Sequence, residues 1–279
     1  AAEAVPALED PDADPQDVAG HTQPSGGGDA RVDDDRVPVI PLYRWGGMSA
    51  DDRYGEMVEP SLSVGMLMAA ARGHDGGRLE QRYDLRRLQP DAGEVLEQWA
   101  RDPRPAVFVF SDYMWNIDAH LELSARVKQL SPSSVCLHGG PSVPKHEVDA
   151  VEFFAENPSV DVAARGEGEV TFVEILDALD GRLDDGCTSR LRDVEGITVR
   201  IGDELVRTPD RERMSDLDAV PSPFLTGEFD DLLSEPWRCA SIETNRGCPY
   251  GCTFFDWGTS TPSRIRKFDM ERVKAELDW

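Results

Sequence analysis

Between Val37 and about Leu179, short apolar runs alternate with longer stretches in which apolar residues recur every three or four positions. VPVIPL (37–42) reads as a buried strand, and Pro60 then opens a helical stretch, SLSVGMLMAAARG, at its first turn. RLEQRYDL (78–85) is a weaker strand, followed by a helix from near Ala92 to Arg101. PAVFVF (105–110) is continuously apolar and bounded by Pro and a polar loop, which predicts a strand buried on both faces. Asn116 through Leu130 is amphipathic, SVCLHGG (134–140) is a short strand ending in glycines, and His146 to Glu156 is helical. VDVAARG (160–166) supplies a fifth strand and Glu169 to Leu179 a closing helix. Five strands alternating with helices predict an α/β fold with a parallel sheet covered on both faces.

Beyond Gly181 the alternation stops. ITVRIGDELVRTP (197–209) predicts a hairpin with Gly202-Asp203 at its turn, and DLDAVPSPFLTG (216–227) a Pro-punctuated connector. CASIETNRGCPYGC (239–252) reads as a strand running into a loop that carries Gly and Cys, and RKFDMERVKAELDW (266–279) begins a helix. One strand and one helix cannot bury their own apolar faces, so this last domain is expected to be incomplete as given. The expected divisions are a disordered acidic segment (1–36), the sheet domain (37–182), a hairpin and linker (183–236) and the final unit (237–279). The sheet domain should hold a closed core without the rest. Asp10, Asp12 and Asp14 imitate the start of a calcium loop, but Pro15 and His21 stand where that loop needs Gly and Glu. No internal repeat is evident.

Charge and cysteine content narrow the function. The 279 residues carry a formal charge of -25, which opposes binding to nucleic-acid phosphates. No apolar run approaches the ~20 residues of a membrane span, and the acidic start lacks the regions of a signal peptide, so a cytoplasmic location is expected. The five cysteines are an odd number, and Cys248 and Cys252 are close neighbours, a pattern of metal ligation in a reducing compartment more than of disulfides.

Ligands of open parallel sheets bind beyond the carboxyl ends of the strands. Four loops fall on that edge: YRWGGM (43–48), SDYMWN (111–116), GGPSV (139–143) and RGEGE (165–169). The candidate cofactor-binding residues are Ser111, Tyr113, Trp115 and Asn116, then Gly139, Gly140, Pro141 and Ser142, then Gly166, Glu167, Gly168 and Glu169. The glycines bare the backbone to a large flat ligand, the aromatics offer surface, and the start of a helix at Glu169 offers N–H groups to amide or phosphate oxygens.

SDYMWN, GGPSVP and VDVAARGEGEVTF resemble the cobalamin-binding domain that precedes radical S-adenosylmethionine domains. The resemblance implies a flavodoxin-like (Rossmann-like) five-stranded sheet whose loops line one face of a corrin ring. It also implies no histidine on cobalt, because this family lacks the Asp-x-His-x-x-Gly loop of other cobalamin proteins. DAHLEL (118–123) has Leu123 where that loop has Gly, so His120 is expected on a helix surface, and His138 as a core or loop-anchoring residue.

ETNRGCPYGCTFFDWG (243–258) resembles the opening loop of the radical S-adenosylmethionine domain itself. In that family three cysteines spaced Cys-x-x-x-Cys-x-x-Cys hold a four-iron, four-sulfur (4Fe-4S) cluster, whose open iron binds S-adenosylmethionine. Here Cys248 and Cys252 match and are the candidate metal ligands, whereas the third position is Phe255. The resemblance implies a barrel beyond residue 279. Three readings follow. One is a cobalamin-binding module, inactive alone, of a protein performing methyl transfer or related radical chemistry on a peptide or small molecule. The second is an enzyme half complemented by a separate barrel. The third is a flavodoxin-like nucleotide- or flavin-binding domain, weakened because YRWGGM is no phosphate loop. No residue in hand identifies a substrate.

Overall fold

The computed structural model describes residues 35–43, 61–89, 91–230, 240–248 and 264–279. Five parallel strands form the centre: β1 (Val37–Leu42), β2 (Tyr83–Leu85), β3 (Val107–Ser111), β4 (Val135–Gly139) and β5 (Val162–Ala164). Their order is β2-β1-β3-β4-β5, a doubly wound arrangement that changes direction between β1 and β3. Between and after them run α1 (Leu62–Gly73), α2 (Ala92–Trp99), α3 (Ile117–Leu130), α4 (Glu147–Glu156) and α5 (Glu169–Leu179).

Side chains alternate across β3. Val107 and Val109 join the core beneath α1 and α5, with Met66, Met68, Phe172 and Leu176. Phe108 and Phe110 enter a second core with Leu96, Trp99, Leu123 and Val127 of α2 and α3. Both faces are covered, which is why this strand reads as an unbroken apolar run. On the second face α4 adds Phe154, packed with Val160 and Ala163.

The sheet has seven strands rather than five. The hairpin β6 (Ile197–Ile201) and β7 (Glu204–Arg207) is part of it, with β6 antiparallel to β5 and Ala163 opposite Thr198. Without β6 the outer side of β5 would present unpaired backbone groups. Ile197 and Val199 enter the larger core, as do Leu217, Val220, Phe224 and Phe229 from the expected linker.

Smaller corrections concern element ends. The weaker strand shrinks to β2, because Arg78–Gln81 forms a 3-10 turn. Ser61 caps α1 by accepting from the N–H of Val64, while Pro60 lies outside the described residues. Of the strand expected to run into a loop over 239–252, the described residues 240–248 form only β8 (Asn245–Arg246), antiparallel to β9 (Arg266–Lys267), which α6 (Met270–Asp278) follows. The expected disorder falls outside the described residues up to Asp34; Arg36 already donates to the Glu80 carbonyl at 3.0 Å. Among the described residues no helix is long and apolar enough to cross a membrane.

Candidate functional site

Three of the four predicted loops can be followed at the carboxyl edge; of the first, only Tyr43 belongs to the described residues. The loop after β3 is organised around Asp112, which sequence reasoning passed over. Its N–H donates to the Gly139 carbonyl at 2.6 Å, and its own carbonyl accepts from the Ser142 N–H at 3.1 Å. Its fully buried carboxylate lies 2.8 Å from Nδ1 of His120 through Oδ1 and 2.8 Å from Nδ1 of His138 through Oδ2. Burial opposes ionisation of this carboxyl, but the two histidines outweigh it and hold the pKa below its ordinary value. Nε2 of His138 is buried without a hydrogen-bond partner among the described residues.

His120 is therefore not a surface residue. It shares the buried stripe of α3 with Leu123, Ser124 and Val127, at the helical spacing of three, four and seven. The partner of His120 is Asp112, eight residues upstream in the loop before α3. No local spacing signals it. His138 is a loop anchor, as expected, stacked on Phe110 with ring centroids 4.5 Å apart.

Asn116 pins the same loop from within. Its Oδ1 accepts from the Tyr113 N–H at 2.7 Å, and its Nδ2 donates to the Ser111 carbonyl at 3.3 Å. The Ser111 hydroxyl is tied to Ser63 of α1 at 2.8 Å. These bonds present Tyr113 and Trp115 as a stacked pair, centroids 4.6 Å apart and 12° from parallel, with Trp115 exposed.

The glycines divide into two kinds. Gly140 has φ +101°, and a Cβ there would stand 2.6 Å from the Asp112 carbonyl oxygen, so its bareness serves the loop's own packing. Gly166 has φ +78° with nothing within 4 Å of an added Cβ, so its backbone faces open space. At Gly139 a Cβ would make an ordinary contact with Ala164 at 3.8 Å, and at Gly168 a tight one with Leu67 at 3.0 Å. Pro141 is exposed and Ser142 half-buried beside them.

The RGEGE loop is held by charge. The Arg165 guanidinium donates to Asp210, to the Thr198 hydroxyl and to the Thr208 carbonyl, which binds the loop to the hairpin. Glu167 pairs with Arg266 and buried Glu169 with Arg246. Burial opposes the Glu167 charge, yet Arg266 holds its pKa below the ordinary carboxylate value. Of the candidate metal ligands, Cys248 is exposed at the end of a described segment. Cys252 and the Phe255 position lie outside the described residues.

No family model matches the chain. It is 39% identical over 232 residues to the cobalamin-dependent radical SAM methyltransferase TokK of Streptomyces tokunonensis, covering 78% of this chain and 31% of that protein. It is 38% identical over 223 residues to the 2-(S-pantetheinyl)-carbapenam-3-carboxylate methyltransferase of Streptantibioticus cattleyicolor, with the same coverage of 78% and 31%. Among solved structures it is similar in fold to the cobalamin-dependent S-adenosylmethionine radical enzyme OxsB with aqua-cobalamin and S-adenosylmethionine bound. That match has a TM-score of 0.59 and 19% identity, over 87% of this chain and 31% of OxsB. The chain thus spans about a third of the length of the curated relatives it matches. Over that length, it belongs to the cobalamin-dependent radical S-adenosylmethionine proteins.

Proposed function

We propose that the carboxyl edge of the sheet takes up cobalamin, and that the chain is the cobalamin-binding module of a protein whose family role is methyl transfer. The observation that carries this reading is the stack of exposed Trp115 on half-buried Tyr113, on the same sheet edge as the open backbone of Gly166. A large flat ring with amide arms needs an aromatic platform and bare main chain, and both are there. His120 and His138 are buried against Asp112, which favours a corrinoid held without a protein histidine on cobalt. The order β2-β1-β3-β4-β5 is that of flavodoxin-like sheets, whose cofactors sit at the turn between β1 and β3. When bound, cobalamin supplies a transferable methyl group; the chain's own residues hold and orient the ring.

The family's further cofactors are a 4Fe-4S cluster and S-adenosylmethionine. The cysteine set of this chain does not fit that cluster. Cys248 and Cys252 are two thiolates, and Phe255 offers no donor at the third position. We therefore derive no step through it, and infer that this chain alone makes no 5′-deoxyadenosine.

The test is an absorption spectrum after incubation with hydroxocobalamin and gel filtration, with an iron assay after anaerobic reconstitution. Retained corrinoid with little iron is expected. A protein that emerges free of corrinoid overturns the reading, and retained flavin fluorescence would favour a nucleotide-binding domain instead.

A further inference from the structure

Glu167 and Glu169 flank Gly168 in the loop after β5, yet both carboxylates are engaged by arginines of the segments around Cys248. Arg246, two residues before Cys248, donates to Glu169 at 2.6 Å and to Glu243 at 2.9 Å. Arg266 donates to Glu167 through both terminal nitrogens, one at 2.9 Å, and to the Met214 carbonyl at 2.6 Å. The side chains of Arg246 and Glu169 are only 13% and 7% exposed, so water screens this pair less than a surface one.

The register of β8 and β9 shows what these contacts do. Arg246 and Arg266 stand directly opposite each other in a ladder only two residues long. Like charges placed so repel, so the two-residue pairing needs them neutralised even though Phe268 and Val273 anchor the neighbouring residues in the main core. Each arginine is paired with a carboxylate of the glycine loop, Arg246 with Glu169 beside its local partner Glu243 and Arg266 with Glu167. The segment that presents Cys248 is thus tied to the edge of the sheet as well as to the core through Ile242 and Phe268.

We propose that Glu167 and Glu169 are positioning residues that join the glycine loop and the Cys248 segment into one unit, so that occupancy of the sheet edge is transmitted to that segment. The transmitted part rests on the cobalamin reading. The linkage does not.

The experiment is amide hydrogen exchange on the full chain, with and without hydroxocobalamin, in three proteins: wild type, Arg246→Gln with Arg266→Gln, and Arg246→Lys with Arg266→Lys. The Gln pair should speed exchange over 240–248 and 264–279 on the order of tenfold, while β1 to β5 keep their protection. The Lys pair retains charge and should restore most of it. Hydroxocobalamin should slow exchange in both segments of the wild type and not of the Gln pair, with uptake read separately by absorption. Unchanged exchange in the unliganded Gln pair overturns the linkage, and equal slowing in both proteins overturns the transmission. A wild type that retains no corrinoid overturns the cobalamin reading and the transmission with it, while the linkage is still decided by the unliganded exchange.

Discussion

The loops after β3 and β4 and the loop after β5 reach one edge of the sheet, but they are held there differently. In the first pair most restraints arise close by, within the loops, β4 and the helix that follows: Asp112 with His120 and His138, Asn116 with Ser111 and Tyr113, and Ser142 with Asp112, with Ser63 of α1 and Arg207 of β7 as outside contacts. In the second the restraints come from far along the chain, from Thr198, Asp210, Arg246 and Arg266. The first arrangement leans less on elements beyond residue 150, where Arg207 donates to the Lys145 carbonyl at 3.1 Å and Phe154 and Val160 pack with Val143. The second depends on the hairpin and on the segments that carry Arg246 and Arg266, and so is coupled to them.

The hairpin and the segment behind it give the largest expected effect. A chain ending at Arg182 loses Ile197, Val199, Leu217, Val220, Phe224 and Phe229 from the main core. At about 1.5–3 kcal/mol for each buried side chain, the loss matches a whole domain stability of about 5–15 kcal/mol. Such a chain should be aggregated or molten, whereas one ending at Asp230 should melt cooperatively. Equal melting of the two would mean that the loop after β5 needs no outside support, and would remove the contrast.

Asp112 tests the self-contained loops. Asp112→Ala leaves two buried imidazoles without their acceptor and should cost about 3–5 kcal/mol in denaturant unfolding. Asp112→Asn, of the same size, should cost less, about 1–2 kcal/mol. Because the folded-state pKa of Asp112 lies below its unfolded value, its stabilising contribution is present above the ordinary carboxylate pKa of about 3.9. It is lost as pH falls through the folded value. The stability gap between wild type and Asp112→Asn should therefore be level near neutrality and shrink below about pH 4. A gap that widens on acidification would assign the wrong charge state to the carboxylate.

How far the sequence carried this picture depends on whether the cause was local. The five parallel strands and α5 were legible because apolar runs and helical spacing record burial directly. The pairing of β6 with β5 was not, since a hairpin looks the same alone or on a sheet edge. His120 was misread for a related reason: a single histidine gave no sign of its stripe until Leu123 and Val127 were counted with it. The partners of Asp112, eight and 26 residues away, and the arginines facing Glu167 and Glu169 come together only in three dimensions. GGPSV and RGEGE were legible as glycine loops, but not as loops whose glycines are bare for different reasons.

That difference between glycines can be measured. Gly140→Ala adds a Cβ 2.6 Å from a backbone oxygen at positive φ and should sit at the upper end of the about 1–3 kcal/mol that such strain costs. Gly166→Ala meets nothing and should cost only the left-handed penalty of about 1–2 kcal/mol. Both glycines are exposed, but only beside Gly166 is there open space for an added Cβ, so if the edge binds a corrin ring Gly166→Ala should lose more hydroxocobalamin affinity than its small loss of stability implies. Equal loss of affinity and stability at both positions would merge the two kinds of loop.

The smallest effect on stability belongs to Trp115. Its ring is 46% exposed and touches Tyr113 in a stacked pair, so Trp115→Ala should change unfolding by no more than about 1 kcal/mol. Its effect on ligand uptake should be much greater. A large aromatic side chain held by a rigid loop has little side-chain entropy to lose on contact, and truncating such an anchor typically costs more than about 1 kcal/mol of binding. Hydroxocobalamin affinity should then fall on the order of tenfold or more in Trp115→Ala, and Trp115→Phe should recover part of it. Titration followed by corrinoid absorption measures the affinity, and thermal melting of the same samples shows that the fold is intact. Unaltered affinity in Trp115→Ala would move the ligand away from the loop after β3 and toward the loops after β4 and β5, where Gly140 and Gly166 are exposed.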